Sequence, residues 1–296
     1  MLNTEDYSNE ILEMYSTGIK PEEIARRLGF KYCQSVYNFL HKKGIFIPKC
    51  IEYNRKYELN QNFFKEINTE EKAYIFGFIC ADGHVDLKNN RVQITLAEKD
   101  KDILEKICNC LESNTIIKEI IRENPYHETE RKLLTLLKIG LNSSILVKDL
   151  VNLGIKPNKT YSLDGNIVKY IPENLMRHFL RGYFDGDGNV IYGVKYSSGT
   201  KHNVNICGNL DFLLKTYQVY FPSNNKLYFE KKSRQTYIWK LSSKENVTKF
   251  LEFLYKDAKI YLNRKYEIYK YAHLKLDKLL ENPEEDNQQP IISLND

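Results

Sequence analysis

Two aspartates carry the chemistry that this sequence suggests most strongly. Asp82 and Asp187 are each followed by glycine and preceded by a small residue, Ala81 or Gly186. Each pair ends an apolar segment of the form G-x-x-x-[small]-Asp-Gly, namely I-F-G-F-I-C-A-D-G (75–83) and L-R-G-Y-F-D-G-D-G (180–188). A single Asp-Gly pair is most often a turn. Two at matched places call for a common explanation.

Both segments are predicted to end a helix. Asn68 with Glu71 fits a capping box at the start of the first helix, and Pro172 fits the first turn of the second. Gly83 and Gly188 suit the left-handed residue that closes a helix.

Small residues four apart give each helix a face that allows close approach. Gly77 and Ala81 share one face of the first helix, and Gly182 and Gly186 share one face of the second. Glycine inside a helix costs about 1 kcal/mol relative to alanine, so such a helix usually gains a close contact in return. We therefore expect the two helices to pack side by side in parallel through these faces.

Parallel packing would bring two carboxylates to the same helix end. The negative end of the helix dipole and the like charges both disfavour that arrangement. A hard divalent cation resolves the conflict, because Mg²⁺ prefers carboxylate and carbonyl oxygens. We predict a Mg²⁺ (or Mn²⁺) site formed by Asp82, Asp187 and the carbonyls of Ala81 and Gly186.

The elements after each motif also repeat in kind and order. Each half is predicted to have a strand, a helix, two strands, a helix and a basic segment: 92–96, 100–111, 115–121, 133–139, 143–153 and 156–160, then 204–207, 210–220, 226–230, 236–241, 244–255 and 264–265. The sequence thus predicts an α+β fold with two pseudo-symmetric halves, 63–165 and 166–274.

The two motifs resemble those of LAGLIDADG homing endonucleases, and the resemblance extends over about 63–274. It implies a monomeric, single-chain pseudo-dimer in which the motif helices form the central interface. Each half would supply a curved antiparallel sheet that saddles the major groove of double-stranded DNA.

The resemblance also implies residue roles. The last aspartate of each motif is the catalytic metal ligand, which assigns that role to Asp82 and Asp187. The first motif departs from the family pattern at Cys80, where the second has Asp185, but that position is not the ligand. A basic residue from the end of each half often assists, and Lys159 and Lys265 match it. Lys156 and Arg264 are close rivals, because helical phase cannot decide among residues of a loop.

The implied activity is site-specific, divalent-metal-dependent phosphodiester hydrolysis that makes double-strand breaks. Two other functions stay open on the same scaffold. One is a non-catalytic DNA-binding transcription regulator. The other is a maturase that helps intron RNA to splice. The sequence is interpreted as a free-standing or intron-encoded protein of a mobile element.

Residues 1–46 are predicted to form a separate all-α domain. Short helices joined by Gly-containing turns resemble the helix-turn-helix of recombinases and repressors. The resemblance gives the core as Ile24, Ala25, Leu28 and Val36, and the groove-facing residues as Gln34, Ser35, Tyr37 and Asn38. A three-helix bundle without a nucleic-acid role is the alternative. Residues 47–62 are interpreted as a linker.

The predicted strands have one polar face. In the first half Arg91, Gln93 and Thr95 alternate with apolar residues, and in the second half Asn203 and Asn205 do so. Lys138 and Lys240 lie near the ends of further strands. Arginine, glutamine and asparagine are the types that pair with base edges, so we predict DNA contacts for this set. A merely solvated face is the alternative.

Composition sets the outer limits. The 296 residues carry a net charge of +5. Six acidic and only two basic residues fall in 275–296, which we interpret as a disordered tail, so the rest of the chain is distinctly basic and suits a nucleic-acid partner. No apolar run approaches the roughly 20 residues of a membrane span. Scattered cysteines without a CxxC pair favour a reducing, intracellular location, either cytoplasmic and nucleoid-associated or organellar.

Overall fold

The computed structural model describes residues 2–45, 56–124, 133–155, 163–222, 228–229 and 236–281. By its contacts the chain divides into two compact units, Met1–Lys56 and Tyr57–Asp296. Lys156, Lys159 and most of the predicted linker lie outside the described residues.

The first unit contains three short helices around a small apolar core. They are α1 (Ser8–Ser16), α2 (Pro21–Arg27) and α3 (Gln34–Lys42). Pro21 occupies the first turn of α2, where its missing N–H needs no partner. Gly18, Gly29 and Gly44 follow the helices with φ of +85°, +76° and +74°, a conformation that glycine adopts without strain. Ile11, Ile24, Ala25, Phe30, Val36, Phe39 and Leu40 form the core.

The second unit repeats one arrangement of helices and strands. Its first half contains α4 (Glu70–Asp82), β1 (Gly83–Asp86), β2 (Arg91–Ala97), α5 (Lys101–Cys110), β3 (Lys118–Glu123), β4 (Leu133–Asn142) and α6 (Ser144–Asn152). Its second half contains α7 (Met176–Asp187), β5 (Gly188–Tyr196), β6 (Gly199–Gly208), α8 (Leu210–Lys215), α9 (Tyr217–Tyr220), β7 (Tyr228–Phe229), β8 (Tyr237–Ser242) and α10 (Lys244–Tyr255). A last helix, α11, spans Asn263–Glu281.

Each half has one four-stranded antiparallel sheet, in the order β1-β2-β4-β3 or β5-β6-β8-β7. The predicted α+β class with antiparallel sheets is therefore confirmed. The predicted elements lacked β1 and β5, which start directly after the motif helices. Their residues, G-H-V-D and G-N-V-I-Y-G-V-K-Y, are too short or too mixed in polarity to read as strands without their partners.

The structure adds detail at two of the predicted boundaries. Residues 57–62 belong to the second unit rather than to a free linker, because the amide of Glu58 donates to Asn114 Oδ1 (2.7 Å) and the amide of Asn60 donates to Leu111 O (2.8 Å). Helix α11 continues through Glu281, and so extends into the stretch 275–296 interpreted as an acidic tail. The apolar residues Ile268 and Ala272, on one side of that helix, are buried.

The helix ends also differ from the predicted caps. The side chain of Thr69, not Asn68, caps α4 by accepting from the amide of Lys72 (3.3 Å). Gly83 and Gly188 follow α4 and α7 in extended conformations, with φ of −73° and −93°, rather than left-handed ones. These glycines are required for space instead, since a Cβ would lie 2.7 Å from Ile79 O and 2.1 Å from Phe184 Cδ2, respectively.

One continuous apolar core runs through both halves of the second unit. Helix α4 lies at its centre, where every residue from Ala73 to Ala81 is buried. A helix that is apolar all round is typical of such a position. Among the residues that the structure describes, no helix has the length and apolar character needed to cross a bilayer.

Candidate active site

The two motif helices pack against each other at very short range. A Cβ on Gly77 would lie 2.1 Å from the carbonyl oxygen of Phe179, and a Cβ on Gly182 would lie 1.9 Å from that of Tyr74. Neither atom could be accommodated, so the backbones of α4 and α7 touch directly. The glycine faces seen in the sequence are therefore the contacting faces.

The small residues before the two aspartates meet at the same end of the helix pair. A Cβ on Gly186 would lie 2.4 Å from the Ala81 Cβ and 3.2 Å from Asp82 Oδ2. Gly186 therefore places the end of α7 against the carboxylate that ends α4. The parallel packing inferred from the spacing matches this geometry.

A cavity of about 430 Å³ opens at this end of the helices, and both aspartates line it. Asp82 is half-buried, and Asp187 is exposed. The remaining lining residues come from α4, α7, β1, the end of β6 and three positions between elements: Cys80, Ala81, Gly83, His84, Val85, Leu163, Tyr183, Cys207, Gly208, Asn209 and Thr236. The fold thus brings two residues that are distant in sequence into one cavity.

The donor set fits a hard divalent cation. Within the described ranges no three His, Cys, Asp or Glu side chains are grouped as a closed metal site. Mg²⁺ does not need one, because it keeps several waters and is usually held by one or two carboxylates. Ala81 and Gly186 lie in the last turns of their helices, directly before Asp82 and Asp187. Asp82 and Asp187 therefore provide the charge, and these carbonyls lie beside them.

Lys265 has a different environment from the one expected of a residue that faces a substrate. Its side chain is fully buried, and Nζ donates to the carbonyl oxygens of Phe184 (2.5 Å), Asp185 (3.1 Å) and Gly188 (2.5 Å). Burial lowers the pKa of Lys265 to about 8, against the opposing effects of the Asp185 and Asp82 charges. The ammonium thus closes the carbonyl end of α7, and Lys265 does not line the cavity.

The other basic residues proposed to assist catalysis are either paired elsewhere or outside the described residues. Arg264 is not free to act at the cavity, because its guanidinium pairs with Asp100 at 2.7 Å. Lys159 and Lys156 lie outside the described residues.

Asp185 is a buried charge that the sequence analysis set aside. Its carboxylate accepts hydrogen bonds from Tyr74 Oη (2.6 Å), Tyr255 Oη (2.5 Å) and the amide of Leu262 (2.8 Å). Burial, reinforced by the Asp185 charge, raises the pKa of Tyr74 and Tyr255 well above the usual value, so both phenols stay protonated donors. The corresponding residue of the first motif is the buried Cys80.

A second buried polar group lies in the middle of α7, one turn before Asp185. Arg181 is completely buried and donates to Glu70 Oε1 (2.7 Å), to the carbonyls of Ile260 and Leu254 (3.0 and 2.8 Å) and to His178 Nδ1 (2.9 Å). Burial, with the nearby Arg181 charge, lowers the pKa of His178 to about 4. Since His178 is then neutral near pH 7, its 3.7 Å approach to Glu70 is not an ion pair. An arginine within an apolar motif was the only sequence signal for this network.

The first sheet presents the predicted polar face. Arg91, Gln93 and Thr95 are partly exposed and alternate with buried Val92, Ile94 and Leu96. Thr95 lies opposite Lys138, which in turn lies opposite Lys118. At the other end of β2, Arg91 Nε donates to Asn142 Oδ1 (2.7 Å). The predicted residues therefore share one surface.

The second sheet has a matching face. Asn205 lies opposite Asn189 on one side and Lys240 on the other, and Asn203 lies opposite Ser242. The Oδ1 atoms of Asn203 and Asn205 are buried and accept no hydrogen bond from the described part of the chain. A buried acceptor in that state is usually satisfied by an ordered water.

In the first unit the predicted groove-facing residues lie on α3. Gln34 and Asn38 are exposed and bonded to each other (2.9 Å), while Ser35 and Tyr37 are half-buried. Tyr37 Oη donates to Glu22 of α2, which fixes α3 against its neighbour. Ile24, Ala25 and Val36 are buried and Leu28 packs on them, as the pattern predicts.

Comparison with known proteins agrees with part of this picture. Residues 69–149 match the family described as the LAGLIDADG-like domain. The match contains α4 with its motif and ends before the second motif. The first half of the second unit is therefore similar to that domain.

Similar solved structures include the LAGLIDADG meganuclease I-AabMI bound to uncleaved DNA, with 18% identity, a TM-score of 0.42, and coverage of 71% of this chain and 91% of that one. The meganuclease I-SmaMI on an uncleaveable DNA matches at 14% identity with a TM-score of 0.47, over 72% and 92% of the two chains. The homing endonuclease I-WcaI, bound to its DNA recognition sequence, matches at 14% identity with a TM-score of 0.44, over 64% and 85%. No curated protein sequence matches this chain.

Proposed function

We propose that this protein is a site-specific homing endonuclease that makes double-strand breaks in DNA by divalent-metal-dependent phosphodiester hydrolysis. The observation that carries the proposal is the shared cavity, in which Asp82 and Asp187 meet at the ends of two helices that touch through glycine. Two carboxylates at negative helix ends are unfavourable without a cation between or beside them.

Each residue of the site would have a distinct role in binding the cation or positioning its ligands. Asp82 and Asp187 would hold the cation, with the carbonyls of Ala81 and Gly186 as neighbouring oxygen donors. A bound Mg²⁺ or Mn²⁺ would supply activation of the attacking water and stabilisation of charge at the scissile phosphate. Lys265 would keep the end of α7 in place, because its three hydrogen bonds all go to carbonyls of that helix end. Lys159 remains our proposal for the basic residue of the first half.

DNA binding is proposed for the polar faces of both sheets. The residues are Arg91, Gln93, Thr95 and Lys138 in the first half and Asn203, Asn205 and Lys240 in the second. They lie on partly exposed faces of two sheets whose first strands, β1 and β5, directly follow the motif helices, so each sheet connects a base-reading face to an aspartate. The two faces would act on one duplex as a monomer.

A contribution of the first unit to DNA binding is proposed for α3, through Gln34, Ser35, Tyr37 and Asn38. The Tyr37–Glu22 contact supports it, because a reading helix must be held rigidly by the helix before it.

The test begins with selection of cleavage sites from a randomised duplex library by the wild-type protein in Mg²⁺. The selected duplex is then offered to Asp82→Asn, Asp187→Asn and the control Asp257→Asn, which alters an exposed aspartate remote from the cavity. We expect both site variants to lose double-strand cleavage while binding stays within about threefold, since neutral asparagine keeps the shape but not the charge. The control should cleave normally.

Full cleavage by either site variant would refute the assignment. If no duplex of the library is cleaved but some are bound specifically by the wild type, the transcription regulator is favoured. Splicing of an intron RNA without DNA cleavage would favour the maturase.

A further inference from the structure

The contacts of Asp185 and Lys265 join two helices end to end. Asp185 lies in the last turn of α7, and its carboxylate accepts from the amide of Leu262, 77 residues later. Leu262 O accepts from the amides of Lys265 and Tyr266, so Leu262 begins the first turn of α11. A negative side chain from the end of α7 therefore lies at the beginning of α11.

The reverse contact is made by Lys265. It lies in that first turn of α11, and its ammonium binds three carbonyls at the end of α7. A cation at a helix C-terminus and an anion at a helix N-terminus are both favoured by the helix dipole, more so in buried surroundings. Both side chains are buried, Asp185 to 1% exposure and Lys265 to 0%.

We propose that Asp185 is a positioning residue for the half of the active site that contains Asp187, acting through the reciprocal clamp that it forms with Lys265. The inference rests on the proposed function. Asp185 does not touch the cavity, but Gly188, a partner of Lys265, directly follows Asp187. The clamp therefore fixes the chain on both sides of the second aspartate.

In the first half, the motif position that corresponds to Asp185 has no carboxylate. Cys80 replaces Asp185 and offers no charge to a neighbouring helix. The same α11 turn also contacts the first half, where Arg264 pairs with Asp100 and the amide of Asn263 donates to Asp102 (3.2 Å). These contacts do not involve Asp185, so they should keep α11 docked when the carboxylate is altered.

The inference predicts unequal damage to the two strands of the substrate. In Asp185→Asn, which preserves size but removes the charge, cleavage of one strand should slow by about tenfold relative to the other, since a small misplacement of a reacting group has effects of this order. Nicked plasmid should then accumulate before linear product. A loss of folded protein alone would slow both strands equally.

A second readout does not depend on cleavage. Amide hydrogen exchange, measured by mass spectrometry on the full chain, should rise about tenfold over residues 260–266 in Asp185→Asn and stay unchanged in α6 of the first half. Lys265→Met should give the same pattern. In the double variant the effects should not add, because both changes break one clamp.

Several results would overturn the inference. Equal slowing of both strands, unchanged exchange over 260–266, or additive effects in the double variant would each do so. If Asp185→Asn does not fold, Tyr255→Phe removes one donor to the same carboxylate and should give a smaller change of the same kind. If the wild type cleaves no duplex, the proposed function fails, while hydrogen exchange still decides whether the clamp exists.

Discussion

The contact between the motif helices can be tested by adding one methyl group. In Gly182→Ala the new Cβ would lie 1.9 Å from Tyr74 O, 2.8 Å from Tyr74 C and 2.9 Å from the amide nitrogen of Phe78. All three are backbone atoms of α4, so no side-chain rotation relieves the overlap. The helices would have to separate by roughly 1 Å, which forfeits a large part of the dispersion energy between their facing atoms.

The net effect has two opposing parts. Alanine is favoured over glycine inside a helix by about 1 kcal/mol. Overpacking of a tight core typically costs about 1–3 kcal/mol and more where backbone must move. Because the overlap here is with backbone on a fully buried helix, we expect Gly182→Ala to lower the free energy of unfolding by about 3 kcal/mol.

The loss of stability is measured by urea unfolding, monitored through the fluorescence of Trp239. Trp239 is the one tryptophan of the chain and is buried in the second unit, so its signal reports on the unit that contains the helix pair. Gly140→Ala is the control, because a Cβ there would meet Arg91 Cδ at an ordinary 3.6 Å and should change stability by at most about 0.5 kcal/mol. If Gly182→Ala is as stable as the wild type, the helices do not touch as described.

Three further outcomes are expected. Folded His178, with a pKa of about 4, stays neutral down to about that pH, whereas the unfolded side chain takes up a proton near the usual histidine pKa of 6.5. The unfolded state thus binds more protons between these values, and stability should fall by about 2 kcal/mol from pH 7 to 5, a loss that His178→Gln should remove from urea titrations. Thr69→Ala should destabilise α4 by about 1 kcal/mol, and Asn68→Ala by clearly less, in the same titrations. Lys138→Ala should weaken binding of the selected duplex and reduce the slope of log affinity against log salt by about 1, while Lys249→Ala on α10 should leave both unchanged.

The geometry shared by the two motifs could be predicted because it depends on backbone. A glycine four residues before a small residue fixes which face of a helix can be approached closely, whatever packs there. The sequence therefore placed Gly77, Ala81, Gly182 and Gly186 on the contacting faces. The alternation of polar and apolar residues in β2 and β6 likewise predicted which face of each sheet is exposed.

The helix ends could not be predicted in the same way. Asn68 and Thr69 are both good capping residues, and only the position of the first helical turn decides between them. Gly83 and Gly188 were expected to adopt a left-handed conformation because that is the common reason for a glycine after a helix. Here each chain enters a strand at once, and the glycine is needed because Ile79 or Phe184 leaves no room for a Cβ.

The two halves have nearly the same sequence pattern. They differ at positions whose environment is formed by residues that are distant in sequence. Asp185 and Cys80 occupy the same motif position, and nothing adjacent in sequence distinguishes a buried anchor from a neutral core residue. The distinction comes from Leu262 and Lys265, which only the completed fold brings to the end of α7. A buried carboxylate is tolerated only where several donors converge on it, and Asp185 has three. A charged residue in one motif and not in the other is therefore evidence that the two ends of the cavity are held by different means, even though Asp82 and Asp187 occupy equivalent positions.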